Sequence, residues 1–136
     1  MAADDDVLRG LASSREVKRL ARLPKTAVYI ARREGFILWA TPNFPQVTGH
    51  RAEDLVGRNA WDFLLAPEDL TPAAETSAAL TEQDVTCWLR LKRADGTKDW
   101  FRIDALNREG GVILTFRREE DERERYFHYV PYRALP

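Results

Sequence analysis

Apolar positions recur along the chain in two rhythms, and each change of rhythm marks a new element. Val7, Leu8, Leu11, Val17, Leu20 and Leu23 follow Asp4, Asp5 and Asp6 at roughly helical spacing, interrupted at Ser13 and Ser14. Carboxylates favour a helix N-terminus and Pro24 stops the pattern, so residues 5–22 are predicted as an amphipathic helix broken near Gly10. In TAVYIARREGFILWA two apolar runs flank Arg-Arg-Glu-Gly, a hairpin signal with Gly35 in the turn and strands at 26–32 and 36–40. The next stretch, TPNFPQVTGHRAEDLVG, is too rich in Pro, Gly and Thr for a strand; short helical turns near 43–48 and 51–56 fit it. NAWDFLLAPEDL adds one more turn, stopped by Pro67. Ala-rich TPAAETSAALTEQ, with Pro72 in a favourable first-turn position, predicts a helix over 72–81.

The last third alternates. In VTCWLRLKR, Val85, Cys87, Leu89 and Leu91 share one face, and Thr86, Trp88, Arg90 and Lys92 share the other. The Asp95-Gly96 turn leads into TKDWFRIDALN, where Phe101, Ile103 and Ala105 oppose Trp100, Arg102 and Asp104. REGG turns the chain again into VILTFRR, the fifth strand. The predicted fold class is therefore α+β: one five-stranded antiparallel sheet with short helices on one face, preceded by an amphipathic helix. The outer face carries Trp88 and Trp100 and needs cover. The N-terminal helix, from this chain or a second copy, is the expected cover. That makes Val7, Leu8, Leu11, Trp88 and Trp100 the interface candidates of an expected homodimer.

Length and composition narrow the picture. The 136 residues fit one domain, and 44% hydrophobic with 10% aromatic residues can build a core. The charges balance at 21 Lys and Arg against 22 Asp and Glu, without the basic excess of a nucleic-acid binder. Cys87 is the single cysteine, so no internal disulfide and no cysteine-based metal site can form. The acidic start MAADDDVLRG has no apolar run, and no segment approaches the ~18 apolar residues of a membrane span. A soluble cytoplasmic protein is expected. RREEDERER, residues 117–125, sets Arg118–Glu122, Glu119–Arg123 and Asp121–Arg125 four apart, as in a solvated helix. The aromatic tail YFHYVPYRALP is expected to fold back on its own sheet or dock on a partner. The expected segments are a helical cap at 1–24, the sheet domain at 25–117, and the charged helix with its tail at 118–136.

These motifs, in this order, resemble the PAS family. ILWATPNFPQVTGHRAEDLVGRNAWDFLLAPED is similar to the first half of the family pattern, where an Asn-x-x-Phe segment leads into Thr-Gly-Tyr, Glu-Glu-Leu-x-Gly and a Pro-Glu-Asp turn. LRLKRADGTKDWFRIDAL is similar to its Arg-x-Lys-x-Asp-Gly hairpin. The resemblance covers residues 26 to 117 and implies a sensory or regulatory module in signal transduction. Such a module acts through protein contact, as a homodimer or on an effector, with a ligand space between sheet and helices. His50 stands where the family has tyrosine, and FRREED replaces the usual end of the last strand.

The resemblance also bears on cofactors. Flavin photosensors of the family carry Gly-Arg-Asn-Cys, whereas this chain has Gly57, Arg58, Asn59 and Ala60. By hairpin alignment, Leu91 and Phe101 take the places of asparagines that hold the flavin ring. Haem sensors use a histidine after the Pro-Glu-Asp turn, and residues 60–83 contain none. His50, in its turn, reads as a solvated side chain. Neither flavin, haem nor a metal is expected. The inner face instead offers Phe44, Leu55, Trp61, Leu64, Cys87, Leu89, Leu91, Phe101 and Ile103. These residues suit either a filled core or a dry pocket for an apolar small molecule. Glu53 would bridge to Lys92 or Arg93, and Glu68 and Asp69 would cap a helix. Serines occur only at 13, 14 and 77, none in a nucleophile elbow, so no catalysis is expected.

Overall fold

The computed structural model describes residues 4–70, 73–74, 83–118 and 132–134. Two short helices open the chain, α1 (Asp5–Gly10) and α2 (Arg15–Ala21), joined by a 3-10 turn at Leu11–Ser13. The side chain of Asp4 caps α1 by accepting from the Asp6 amide at 2.9 Å. The α-helix ends at Gly10, near where the break was expected, and the chain turns extended at Ser14 after the 3-10 turn. Ser14 Oγ accepts from the Val17 amide at 3.2 Å, and this local bond starts a new helix where the first has ended.

Then come β1 (Ala27–Arg32), β2 (Ile37–Ala40) and the helical turns α3 (Phe44–Thr48), α4 (Ala52–Leu55) and α5 (Ala60–Phe63). A 3-10 turn at Pro67–Asp69 follows. The meander is β3 (Val85–Lys92), β4 (Lys98–Arg108) and β5 (Gly111–Arg118). The five expected strands form one antiparallel sheet, and a short β6 (Tyr132–Ala134) joins its edge beside β3, giving the order β2-β1-β5-β4-β3-β6. The tail thus returns to its own sheet at these residues. The predicted helix over 72–81 lies outside the described residues except at Ala73 and Ala74, which are helical. Of the predicted charged helix, Arg117 and Arg118 belong to β5, and residues 119–125 lie outside the described residues. Arg118 pairs with Asp99 at 2.7 Å across the sheet.

Each face of this sheet carries an apolar cluster. On the inner face, the helical turns bury Phe44, Leu55 and Leu64 against Tyr29, Cys87, Leu91, Phe101, Ile103 and Phe116. On the outer face, Leu8, Val17 and Leu20 of α1 and α2 lie on Val28, Ile30, Leu38, Leu106 and Ile113. This corrects the expected cover. The N-terminal helices seal β1, β2 and β5, and neither Trp88 nor Trp100 belongs to their cluster. The reason is visible in the strands. Val28, Ile30 and Ile113 make β1 and β5 oily on both sides, which offers the helices more apolar area than β3 and β4 do.

The interface candidates separate accordingly. Leu8 is fully buried within its own chain and is not available to a partner. Trp88 is buried, Trp100 and Leu11 are half-buried, and Val7 is 50% exposed.

Two arginines clamp the N-terminal helices. Arg32 on β1 donates to both oxygens of Asp5, with Nε at 2.8 Å. Arg108 on β4 donates to Glu16 at 2.9 and 3.1 Å and to Asp84 at 2.8 and 2.9 Å. The hydrogen bond from Arg32 holds the Asp5 carboxyl below its ordinary 3.8. A group whose folded value is depressed stabilises the fold above its unfolded value and loses that contribution as pH falls through the folded one. The hold on α1 should therefore weaken below the ordinary carboxylate value. Amides of residues 5–10 are expected to lose hydrogen-exchange protection there, after correction for intrinsic rates. An Asp5→Asn variant should lack this pH dependence; an identical profile in both proteins would refute the assignment.

Candidate functional site

The inner core holds a cavity of about 100 Å³ between α5 and the sheet. Its cover is stitched to the β1–β2 turn. Asn59 caps α5 by accepting from the Trp61 amide at 2.9 Å and donates through Nδ2 to the Glu34 carbonyl at 3.2 Å. The Ala60 amide donates to the Gly35 carbonyl at 2.9 Å. Gly35 has a φ of +100°, and a Cβ there would lie 2.4 Å from Trp61 Cδ1. Only glycine tolerates that φ while leaving room for the indole, so the turn seats Trp61 at the cavity. At the other end of α5, the Lys92 amide donates to the Leu64 carbonyl at 2.8 Å and ties the helix to β3.

Six of the nine sequence-derived pocket candidates line this cavity: Trp61, Leu64, Cys87, Leu89, Leu91 and Ile103. Phe44, Leu55 and Phe101 lie in the same core cluster, outside the lining. Sequence reasoning missed Tyr29, Leu65, Ala105, Val112, Leu114 and Phe116, all of which line it. The alternation of Tyr29, Val112, Leu114 and Phe116 was masked because β1 and β5 are apolar at nearly every position, whereas Ala105 shared the inner face read for β4 and Leu65 follows α5 on no strand. Ala60, 9% exposed, contributes a methyl group to the wall. Arg32 and Arg33 complete the lining near the β1–β2 turn, where Arg33 also donates to Asn107.

Tyr29 brings a hydroxyl group into this wall. It is 4% exposed, and its ring stacks on Phe44 at 6.3 Å and tilts against Phe116 at 4.9 Å. Burial pushes its hydroxyl well above the usual phenol range, and the neighbouring Cys87 adds to the effect. The hydroxyl therefore stays protonated at any physiological pH.

Two expected side-chain roles are corrected nearby. His50 is not solvated; it is 6% exposed, with Nε2 2.8 Å from the Lys92 carbonyl and its ring 5.0 Å from Phe63. A carbonyl only accepts, so Nε2 carries the hydrogen. Glu53 pairs with Arg51 at 3.6 Å rather than with Lys92 or Arg93. Glu68 pairs with Lys98 and Arg90 on the sheet, and the segment after Asp69 that it was expected to cap lies, but for Leu70, Ala73 and Ala74, outside the described residues. No cluster of His, Cys, Asp and Glu able to hold a metal forms among the described residues. No helix among them is long and apolar enough to cross a membrane.

An antiparallel sheet whose helical turns cover one face and leave an apolar cavity beneath them defines an α+β domain of the sensor type. The family model of the PAS fold matches residues 15–118, and the chain belongs to the PAS family. Solved structures of the same fold include a light-oxygen-voltage domain studied with a flavin analogue. It is 23% identical, over 87% of this chain and 94% of that one, with a TM-score of 0.70. The PAS domain of the Cronobacter turicensis quorum-sensing receptor RpfR, in complex with BDSF, is 14% identical over 71% of this chain and 95% of that one, with a TM-score of 0.60. A domain of a sensory box sensor histidine kinase/response regulator from Geobacter sulfurreducens is 16% identical over 75% and 90%, with a TM-score of 0.61. A search of the curated proteins gave no match.

Proposed function

We propose that this PAS domain is a non-catalytic sensory module whose inner chamber takes a small, mainly apolar molecule and whose response leaves by protein contact, through a homodimer or an effector. The observation that carries this reading is the cavity behind Trp61. Its walls are Leu64, Leu89, Leu91, Ile103 and Leu114, which hold a guest by area rather than by charge.

The chamber also touches the parts that could transmit a signal. Arg32 lines it and, through the same guanidinium, holds Asp5 of α1. Val112 lines it, and the adjacent Gly111 lies under Leu8. A guest that shifts β1 or β5 therefore shifts the seat of the N-terminal helices. Val7, on the exposed side of α1, is then placed to meet a partner.

A flavin does not fit these residues. Ala60 offers no thiol, and Leu91, 3% exposed in the cavity wall, would face the polar edge of the ring. Each polar group left without a partner there would cost about 1–3 kcal/mol. The competing reading, a filled core in a purely structural interaction module, draws on the cavity volume. About 100 Å³ is below the ~300 Å³ at which ordinary ligand pockets begin. It approaches the ~150 Å³ of an engineered apolar cavity that binds benzene. Native mass spectrometry of the purified protein separates the two readings. A bound non-covalent mass and no flavin absorption are expected. A bare chain that also binds no small hydrocarbon on titration would establish the filled core instead.

A further inference from the structure

We propose that the chamber selects a guest with an apolar body and one uncharged hydrogen-bonding oxygen, and that the Tyr29 hydroxyl is its polar anchor. This rests on the chamber reading above and adds the chemistry of its contents. Tyr29 lines the cavity and is 4% exposed, and its hydroxyl has no hydrogen-bond partner among the described residues. Among the described residues no fully closed-off side-chain polar atom lacks a partner, so this hydroxyl keeps an open side, and the cavity is what it lines. Buried polar groups are nearly always paired, because an unmade hydrogen bond in an apolar site costs more than a made one gains. The ring cannot turn away to find a partner, since Phe44 and Phe116 hold it at 6.3 and 4.9 Å. The missing partner must come from what fills the chamber.

The surroundings favour an uncharged group. A carboxylate brought inside would need a cation; Arg32 already serves Asp5 and lies 3.7 Å from Glu34, and Arg33 is exposed at the rim, where it donates to Asn107. Beside Tyr29 the wall holds Leu114, its partner across β1 and β5, and Cys87, whose thiol is only a weak hydrogen-bonding group. An alcohol, phenol or ketone oxygen can meet the tyrosine hydroxyl without bringing charge.

Toluene and phenol test this, since they differ by one methyl exchanged for one hydroxyl. Their affinities are measured by NMR titration for the wild-type chain and for Tyr29→Phe, which keeps the ring and its packing. The preference for phenol relative to toluene is expected to fall about 3- to 10-fold in the variant, the worth of one neutral hydrogen bond. Toluene affinity should stay within about 2-fold, which also shows that the variant is folded. An unchanged ratio would overturn the anchor and leave the chamber reading standing, with a trapped water as the partner of Tyr29. Failure of both probes to bind wild-type protein would remove the chamber reading, and the anchor with it. Shifts that fall outside Leu64, Leu89 and Ile103 would count the same way.

Discussion

Phe116→Ala is expected to lower the unfolding free energy by about 3–5 kcal/mol. Phe116 is 1% exposed and lies on β5, which is paired on both sides, opposite Ala27 of β1 and Ile103 of β4. Its ring meets Tyr29 at 4.9 Å and Phe44 at 5.6 Å. Such aromatic pairs add about 0.5–1.5 kcal/mol beyond the area they bury. The cost of a large-to-small change depends on how far the site can collapse. A strand held by two ladders cannot move in, and the new void would join the chamber that Phe116 already lines. The loss should therefore fall in the upper half of the range. Urea unfolding followed by tryptophan fluorescence measures it. Leu23→Ala, at a residue 44% exposed, should stay within about 0.5 kcal/mol as a control. A loss below about 1.5 kcal/mol would mean that the wall closes over the gap. If the enlarged chamber stays open, benzene should raise the variant's stability more than the wild type's, in proportion to its tighter binding.

The elements were legible because each carried a local signal. The alternation from Val85 to Lys92 and the Asp95-Gly96 turn fixed the hairpin that is found at Val85–Lys92 and Lys98–Arg108. The inward set Cys87, Leu89, Leu91, Phe101 and Ile103 followed from the same alternation and lies in one cluster. What escaped were relations between distant segments. Which part of the outer face the N-terminal helices cover depends on where the most apolar area lies. Two tryptophans drew attention to β3 and β4, while the uninterrupted apolar runs AVYIA and GVILTF already marked β1 and β5 as buried on both sides. His50 escaped for a related reason: its partner is a backbone carbonyl 42 residues away, and no side chain records it. Tyr29 was readable as a strand residue but not as a polar group facing a void. A void is a property of packing, and no pattern in the sequence encodes it.

Val7 and Leu8 are neighbours in sequence, and aspartate at the two positions should have opposite consequences. Leu8 is fully buried, and a Cβ on Gly111 would lie 2.5 Å from Leu8 Cδ2, so the leucine occupies the space that the glycine leaves open. Leu8→Asp removes that packing and puts a carboxylate among Val28, Ile30 and Ile113, far too apolar a place for an unpaired charge. A loss of about 3–5 kcal/mol is expected unless undocking of α1 and α2 costs less, in which case the helices release first. Release would bare the apolar outer face of β1, β2 and β5. The variant should then lose hydrogen-exchange protection over residues 5–21 and self-associate in size-exclusion chromatography. Val7 is 50% exposed, and Val7→Asp should change stability by no more than about 0.5 kcal/mol. If a homodimer or effector uses the exposed side of α1, the Val7 variant should weaken that association while the fold stays intact. Equal destabilisation by the two substitutions would contradict the docking of α1. A Val7 variant with unaltered self-association and effector binding would move the contact surface elsewhere. The pair thus separates the side of α1 that holds the domain together from the side free to carry its signal.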